Sequence, residues 1–277
     1  MRADRRQRRR PIGEAMSTRR WIAHLSDPHL DGTIETRLRV QAITQWLQQL
    51  RTGPDVVLVT GDLTEPSPES DPESEMAWLH QTLLQTSASV LLVRGNSDPA
   101  TTFRAHLEST EEAYIEIDGQ VHRRRHAAGM TFLLLDSTVP GSFAGRTAAG
   151  TCDWIKDEIA STDGPVVLAL HHPPRELGHP VVDQLRAKVD PALAQIVEEE
   201  DRIVAIMCGH THAAAVTTWA GKPLLIAPGT HSLGQVPPAS DGSTTALIDE
   251  TAPPGLMMHR IDGGDILTYI HAAHLTG

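Results

Sequence analysis

The sequence predicts an α/β protein in which two mixed β-sheets pack as a sandwich flanked by helices. Three observations lead there. Short apolar runs bounded by polar turn residues recur along the chain and read as buried strands. In the N-terminal part these runs alternate with segments of helical period, the pattern of a parallel sheet covered by helices. Further on, strand-like runs crowd together, and the C-terminal part is strand-rich with an antiparallel look.

The elements follow in order. WIAHLS (21–26) reads as the first strand, and Ile34, Leu38, Ile43, Trp46, Leu47 and Leu50 recur near helical spacing. DVVLVT (55–60) is a second strand and SPESDPES (67–74) a polar loop, after which Met76, Leu79, Leu83 and Leu84 mark a helix. VLLV (90–93) is the third strand. Asp98 before Pro99 suits a helix N-cap with proline at the first helical position. AYIEID (113–118) and MTFLLLD (130–136) read as strands on either side of the charged HRRRH (122–126), itself a solvated strand or loop. CDWIKDEIA (152–160) and residues 191–200 read as helices, and PVVLAL (165–170) and RIVAIMC (202–208) as buried strands. No linker interrupts this series, so residues 21–277 read as one domain, preceded by a disordered basic leader at 1–20.

Composition narrows the function. The 277 residues are 40% hydrophobic and 21% charged, an ordinary globular balance. No apolar run reaches the roughly 18 residues of a membrane span, and no apolar stretch after the basic N-terminus reads as a secretory signal. The net charge of −11 argues against nucleic-acid backbone binding. Two distant cysteines, Cys152 and Cys208, make no disulfide framework, and a reducing cytoplasmic compartment is expected. Cys208 reads as a small core residue. Fifteen histidines direct attention to metals.

Five polar clusters share one placement, each following a buried strand: SDPH (26–29), TGD (60–62), GNSD (95–98), LHH (170–172) and CGHTH (208–212). The carboxyl ends of strands in an open α/β sheet form the ligand crevice. Together the clusters offer Asp27, His29, Asp62, Asn96, His171 or His172, His210 and His212. This oxygen and nitrogen set without thiolate suits divalent iron, manganese or zinc. It is too large for one ordinary ion and fits two ions sharing a carboxylate, the clamp used for phosphoryl hydrolysis. The amide oxygen of Asn96 can bind a metal without adding negative charge beside a phosphate. Each fragment alone is a common turn; the order of all five, each at a strand end, carries the reading. His231 in APGTHS follows a late strand and reads first as a surface turn, with the pocket rim as the alternative.

The series D-x-H, G-D, G-N-x-D, a later His and G-H-x-H, spanning residues 27–212, resembles the calcineurin-like metallophosphoesterases. The segments LLLDSTVPG, CDWIKDEIA, LALHHPPRELG and CGHTH look most like the class III cyclic-nucleotide phosphodiesterase branch. By this resemblance Asp27, His29 and His212 would hold one ion, and Asn96, His171 and His210 the second, with Asp62 bridging. His171, the first of the pair, would be the ligand and His172 would line the pocket. His29, Asn96, Ser97 and His212 would face the phosphate. The implied activity is hydrolysis of a phosphodiester, a cyclic nucleotide or similar small diester, by a hydroxide generated between the ions. A phosphomonoesterase or nucleotide pyrophosphatase of the same fold is the alternative. The expected partner is a small phosphoester, with neither membrane nor nucleic acid. One departure stands out: the family places histidine after the asparagine, where it meets the phosphate and can protonate the leaving oxygen, and here the residue is Ser97. That departure opens a third reading, a metal-binding scaffold with weak catalysis.

Overall fold

The computed structural model describes residues 19–239, 247–263 and 265–275. The basic leader expected at 1–20 lies outside them up to residue 18. Its last two residues are placed. β1 (Arg20–Leu25) starts one residue before the expected boundary, and Arg20 Nε donates to Ala128 O at 2.6 Å.

The N-terminal part alternates as expected: β1, α1 (Ile34–Gln49), β2 (Val56–Thr60), α2 (Pro72–Leu84), β3 (Ser89–Val93) and α3 (Ala100–Ser109). β1, β2 and β3 pair in parallel, because each helix carries the chain back to the same starting end. Two expectations need correction. α2 begins at Pro72, inside the segment read as a loop, with Glu73 and Glu75 in its first turn. Proline at a helix start and acids near the positive dipole end favour this start without any apolar residue. In α1, Ile34 and Leu38 are 58% and 44% exposed, so its buried face is Val40, Ile43 and Leu47.

β4 (Ile115–Ile117), β5 (Gln120–Ala127) and β6 (Met130–Leu135) form an antiparallel meander. β5 contains the HRRRH segment, and its first two residues are buried rather than solvated. The Arg123 guanidinium pairs with Glu112, donates to Leu92 O and lies 5.4 Å over the Phe103 ring. A buried charge persists when it is paired and hydrogen-bonded in this way.

The chain continues through β7 (Gly145–Arg146), α4 (Thr151–Ala160), β8 (Val166–Leu170), β9 (Ala187–Lys188), α5 (Pro191–Glu199) and β10 (Ile203–Cys208). It ends with β11 (Ala215–Trp219), β12 (Lys222–Ile226), β13 (Leu233–Gly234), β14 (Ile248–Asp249), β15 (Gly255–Asp262) and β16 (Asp265–Ala272). The first large sheet has the order β16-β15-β1-β2-β3 and the second β11-β12-β10-β8-β6-β5-β4. Both are mixed. The antiparallel C-terminal part holds for β11–β12 and β15–β16, whereas β12 lies parallel to β10.

Successive strand residues point to opposite faces. Ile22, Leu58 and Leu91 of the first sheet meet Phe132, Val167 and Met207 of the second between the sheets. Their neighbours Ala23, Val57 and Leu92 pack in a second cluster with Val40, Met76 and Phe103 of α1–α3. Leu133, Leu168 and Ile206 do so with Ile155 of α4 and Val197 of α5. Strands buried on both faces read as unbroken apolar runs, which is why they were legible. The result is a helix–sheet–sheet–helix sandwich, with Cys208 fully buried in it. No described helix is long and apolar enough to cross a membrane.

Candidate metal centre

All five polar clusters emerge at the carboxyl ends of β1, β2, β3, β8 and β10. The strands aim them at one point, and the turns then bend sharply. Asp27, His29, Asp62, His210 and His212 all adopt positive φ, at 52°, 43°, 49°, 70° and 54°. A left-handed backbone costs a non-glycine residue roughly 1–2 kcal/mol, and such residues gather where side-chain placement matters more than local comfort. The glycines before the ligand positions explain themselves by space. A Cβ on Gly95 would lie 2.0 Å from Asp62 N, and one on Gly209 would lie 1.7 Å from Ser26 Oγ. Only glycine lets these turns approach so closely.

The side chains converge. His29 Nε2 lies 3.6 Å from Asp62 Oδ2, and His171 Nε2 lies 3.4 Å from the same oxygen. His212 Nε2 lies 3.6 Å from Asp27 Oδ1. Asn96 Oδ1 lies 3.1 Å from His171 Nε2. Asp62 therefore sits centrally, with the other residues on either side. His171, not His172, faces it. The nitrogens of His172 are engaged elsewhere, Nδ1 with Ser137 Oγ at 2.8 Å and Nε2 with Phe143 O at 3.1 Å.

Three rings are held from behind. His29 Nδ1 bonds Glu65 Oε2 at 2.8 Å, His171 Nδ1 bonds Thr60 O at 2.7 Å, and His212 Nδ1 bonds Ser232 Oγ at 2.7 Å. In each case the other nitrogen, Nε2, is directed inward, the arrangement that orients imidazole toward a metal. Nitrogen then faces nitrogen: His29 Nε2 and His212 Nε2 are 3.2 Å apart, as are His210 Nδ1 and His171 Nε2. Two imidazole lone pairs at that distance require a proton or a cation between them. Asp27 Oδ1 and His210 Nε2 are buried without a hydrogen-bond partner among the described residues. Among those residues Asp27 and Asp62 form ion pairs with histidine alone. These groups fit metal ions, and three sets of residues have donor atoms close enough for one: Asp27-His29-His212, Asp27-Asp62-His171 and His171-His172-His210.

Electrostatics agree. Burial works against the His29 and His171 cations, yet Glu65 and Asp62 for the first, and Asp62 for the second, raise both to about 9. Burial likewise works against the Asp62 charge, but His171 and His29 hold its carboxyl well below the usual range. Burial and the neighbouring His171 push His210 down to about 3. Burial and the neighbouring His29 and His171 cations lower His212 as well. The carboxylates thus favour positive charge at His29 and His171, while the other two rings stay neutral, with lone pairs free to bind.

The loop after β3 behaves differently from its sequence reading. Asp98 does not cap α3; Pro99 occupies the N-cap position, with no side-chain cap bond. Instead the Asp98 carboxylate accepts from Gly95 N at 2.8 Å, Leu63 N at 3.1 Å and Thr64 N at 2.9 Å. It staples the Asp62 turn to the Asn96 turn. Ser97 N donates to Asp62 Oδ1 at 2.8 Å, and the Ser97 hydroxyl donates to Thr64 O at 2.6 Å. His231 is not on a plain surface turn. It lines a 290 Å³ cleft with His29, Asp31, Glu65, His212 and Glu250, its ring 5.8 Å from that of His29. A larger groove of 470 Å³, lined by Trp21, Trp46 and Tyr269 among others, contains no comparable donor set. Glu65, Ser232 and Thr60 carried no sequence signal, because a residue that orients another from behind sits at no fixed spacing.

Comparison with known proteins points the same way. The chain is 28% identical to the glycerophosphodiester phosphodiesterase GpdQ of Enterobacter lignolyticus over 92% of both chains. It is 31% identical to a probable cyclic nucleotide phosphodiesterase of Rhodococcus erythropolis, over 76% of this chain and 70% of that one. In fold it resembles the purple acid phosphatase PPD1 of yellow lupin, with a TM-score of 0.60 at 12% identity over 92% of this chain and 52% of that one. The family description that matches residues 20–214 is calcineurin-like phosphoesterase. It covers every strand end from which the clustered side chains emerge, and the chain belongs to that family.

Proposed function

We propose that the protein hydrolyses a small phosphodiester with two divalent metal ions. Asp27, His29 and His212 would hold one ion, Asn96, His171 and His210 the other, and Asp62 both. The observation that carries this is the convergence of seven donors around two nitrogen–nitrogen contacts and an orphaned carboxylate oxygen. Oxygen and nitrogen donors without thiolate suit iron, manganese or zinc. Bound ions would supply a nucleophilic oxygen at neutral pH and neutralise charge on the phosphate.

The protein's own groups do the rest. Asn96 brings an oxygen without a charge, so the phosphate meets less repulsion on its side. Ser97 cannot stand in for the missing histidine while its hydroxyl is bound to Thr64 O. His231 is the better proton donor to the leaving oxygen. It lines the cleft beside His29, with its Nε2 3.8 Å from Glu250 Oε1. Burial and the His29 ring beside it lower its pKa, against Glu250, so the protonated form is more abundant on the acid side of neutrality and cleavage of poor leaving groups should be fastest there. Diesters are favoured because the relatives above are named for diesters. Residues 21–277 read as one catalytic domain, since strands from both ends of the described chain complete the first sheet. A reducing cytoplasm is the proposed setting, in keeping with two free cysteines.

Metal-loaded protein should cleave bis-nitrophenyl phosphate faster than nitrophenyl phosphate, and it should also cleave a cyclic nucleotide or a glycerophosphodiester. Faster turnover of the monoester overturns the diester reading. Full metal occupancy with no turnover of any of them favours the scaffold.

A further inference from the structure

β16 is the outer strand of the first sheet, paired on its inner side with β15 from Asp265 to Ala272. Ala273 N continues that ladder by donating to Pro254 O at 2.9 Å. Odd-numbered residues here therefore turn N–H and C=O toward β15. By the alternation of an antiparallel ladder, Ile266, Thr268, Ile270 and Ala272 turn theirs outward. No described residue hydrogen-bonds to these outward groups.

The other sheet edges are guarded. On β3, Leu92 O accepts from the Arg123 guanidinium. On β11, Thr218 O accepts from Arg175 Nη1 at 2.5 Å. β4 is only three residues long. Short edges and covering cations are the usual protection against strand pairing. β16 has none of it. It runs for eight residues without Lys, Arg or Pro, and Leu267, Tyr269 and Ile270 are 39%, 51% and 60% exposed.

We propose that β16 pairs antiparallel with β16 of a second copy, about a two-fold axis through Thr268 and perpendicular to the sheet. Such an axis keeps each sheet face continuous, so every residue opposes one from its own face. In this register Thr268 opposes itself, Ile266 opposes Ile270, Leu267 opposes Tyr269, and Asp265 opposes His271. The apolar and aromatic pairs are favourable across strands, while Thr268 keeps its hydroxyl on His259 Nδ1 at 2.9 Å and Asp265 approaches the edge of a His271 ring stacked on Trp46. All outward groups from Ile266 to Ile270 are matched. Moving the axis to Leu267 shortens the ladder to residues 265–269, and moving it to Tyr269 keeps its length but takes Asp265 out of the pairing, so only the Thr268 axis sets Asp265 against His271. The strand alone buries less than a stable dimer requires. The 470 Å³ groove that shares Tyr269 and Ile270 with this edge, and is walled by Trp21, Trp46 and Leu50, supplies further apolar area at the seam.

Sedimentation velocity of the full chain, from micromolar to near-millimolar concentration, tests this. The wild type should sediment as a dimer. Ile270→Lys, a charge on an exposed edge position, should sediment as a monomer with unchanged melting temperature and phosphoesterase turnover. Leu267→Cys with Tyr269→Cys, in a Cys152→Ser background, should give a covalent dimer on mild oxidation. A wild type that stays monomeric overturns the proposal, as does a dimer that survives Ile270→Lys. A dimer that Ile270→Lys splits but the paired cysteines fail to link overturns the register.

Discussion

The two halves of the donor cluster are built on different terms. The side chains of His29 and His212 are 15% and 12% exposed and border the cleft, whereas on the other side His171 is fully buried and Asn96 and His210 are half-buried. On the proposed assignment the half that borders the cleft would add the carboxylate of Asp27 to the shared Asp62, and the other would add the neutral amide of Asn96. Their supports differ too. His29 and His212 lean on side chains, Glu65 and Ser232, while His171 leans on the backbone carbonyl of Thr60. The contrast teaches that charge and enclosure are traded. On the proposed assignment, the half that borders the cleft would hold its ion with an extra carboxylate, and the other would rely on the buried His171 and a support that no side-chain change can remove.

The largest test of this comparison removes what the halves share. Asp62→Ala should reduce bound transition metal from about two equivalents to well below one and abolish turnover. Elemental analysis after gentle purification checks it; one tightly held ion, untouched by the change, would break the paired description. The next test probes only the half that borders the cleft. His231→Gln should slow cleavage of an alkyl diester by about 10²–10⁴-fold, the range of positioned acid catalysis. It should hardly affect an aryl diester, whose leaving group departs without a proton. Equal loss on both substrates at matched metal content would assign His231 to binding. The smallest effect concerns support. Ser232→Ala should weaken metal affinity by roughly 10–100-fold, and in one of two titration steps only, because His171 keeps its backbone partner. Equal weakening of both steps would show that the halves are coupled through Asp62 more strongly than they are separated by their supports.

Much of this was legible in the sequence for a physical reason. Strands buried on both faces leave apolar runs, and residues that bind at strand ends must follow those runs directly. That is why Asp27, Asp62, Asn96, His171 and His210 could be placed together before any fold was known. What escaped was whatever depends on partners distant in sequence. Arg123 looks like a surface residue until Glu112 and Leu92 are seen beside it. Asp98 looks like a helix cap because the competing amides of Leu63 and Thr64 belong to another loop. His231 looks like a turn residue because its cleft is made by residues from β1, β2 and β10 turns. The left-handed backbones at the ligands also left no trace, since nothing local distinguishes an aspartate that tolerates positive φ from one that does not.

The pairing of β1 has a consequence for how the chain is made. One side of β1 meets β2 soon after both are synthesised, but the other side waits for β15. His24 Nδ1 and His259 Nε2 close that contact at 3.1 Å across 235 residues. On a ribosome, the strand that delivers Asp27 keeps an open edge until almost the whole chain has emerged. Contacts so remote are slow to form, and an unpaired edge held open during synthesis invites wrong partners. The donor cluster is thus among the last parts of the protein to be finished, although its first residue is among the first to be made.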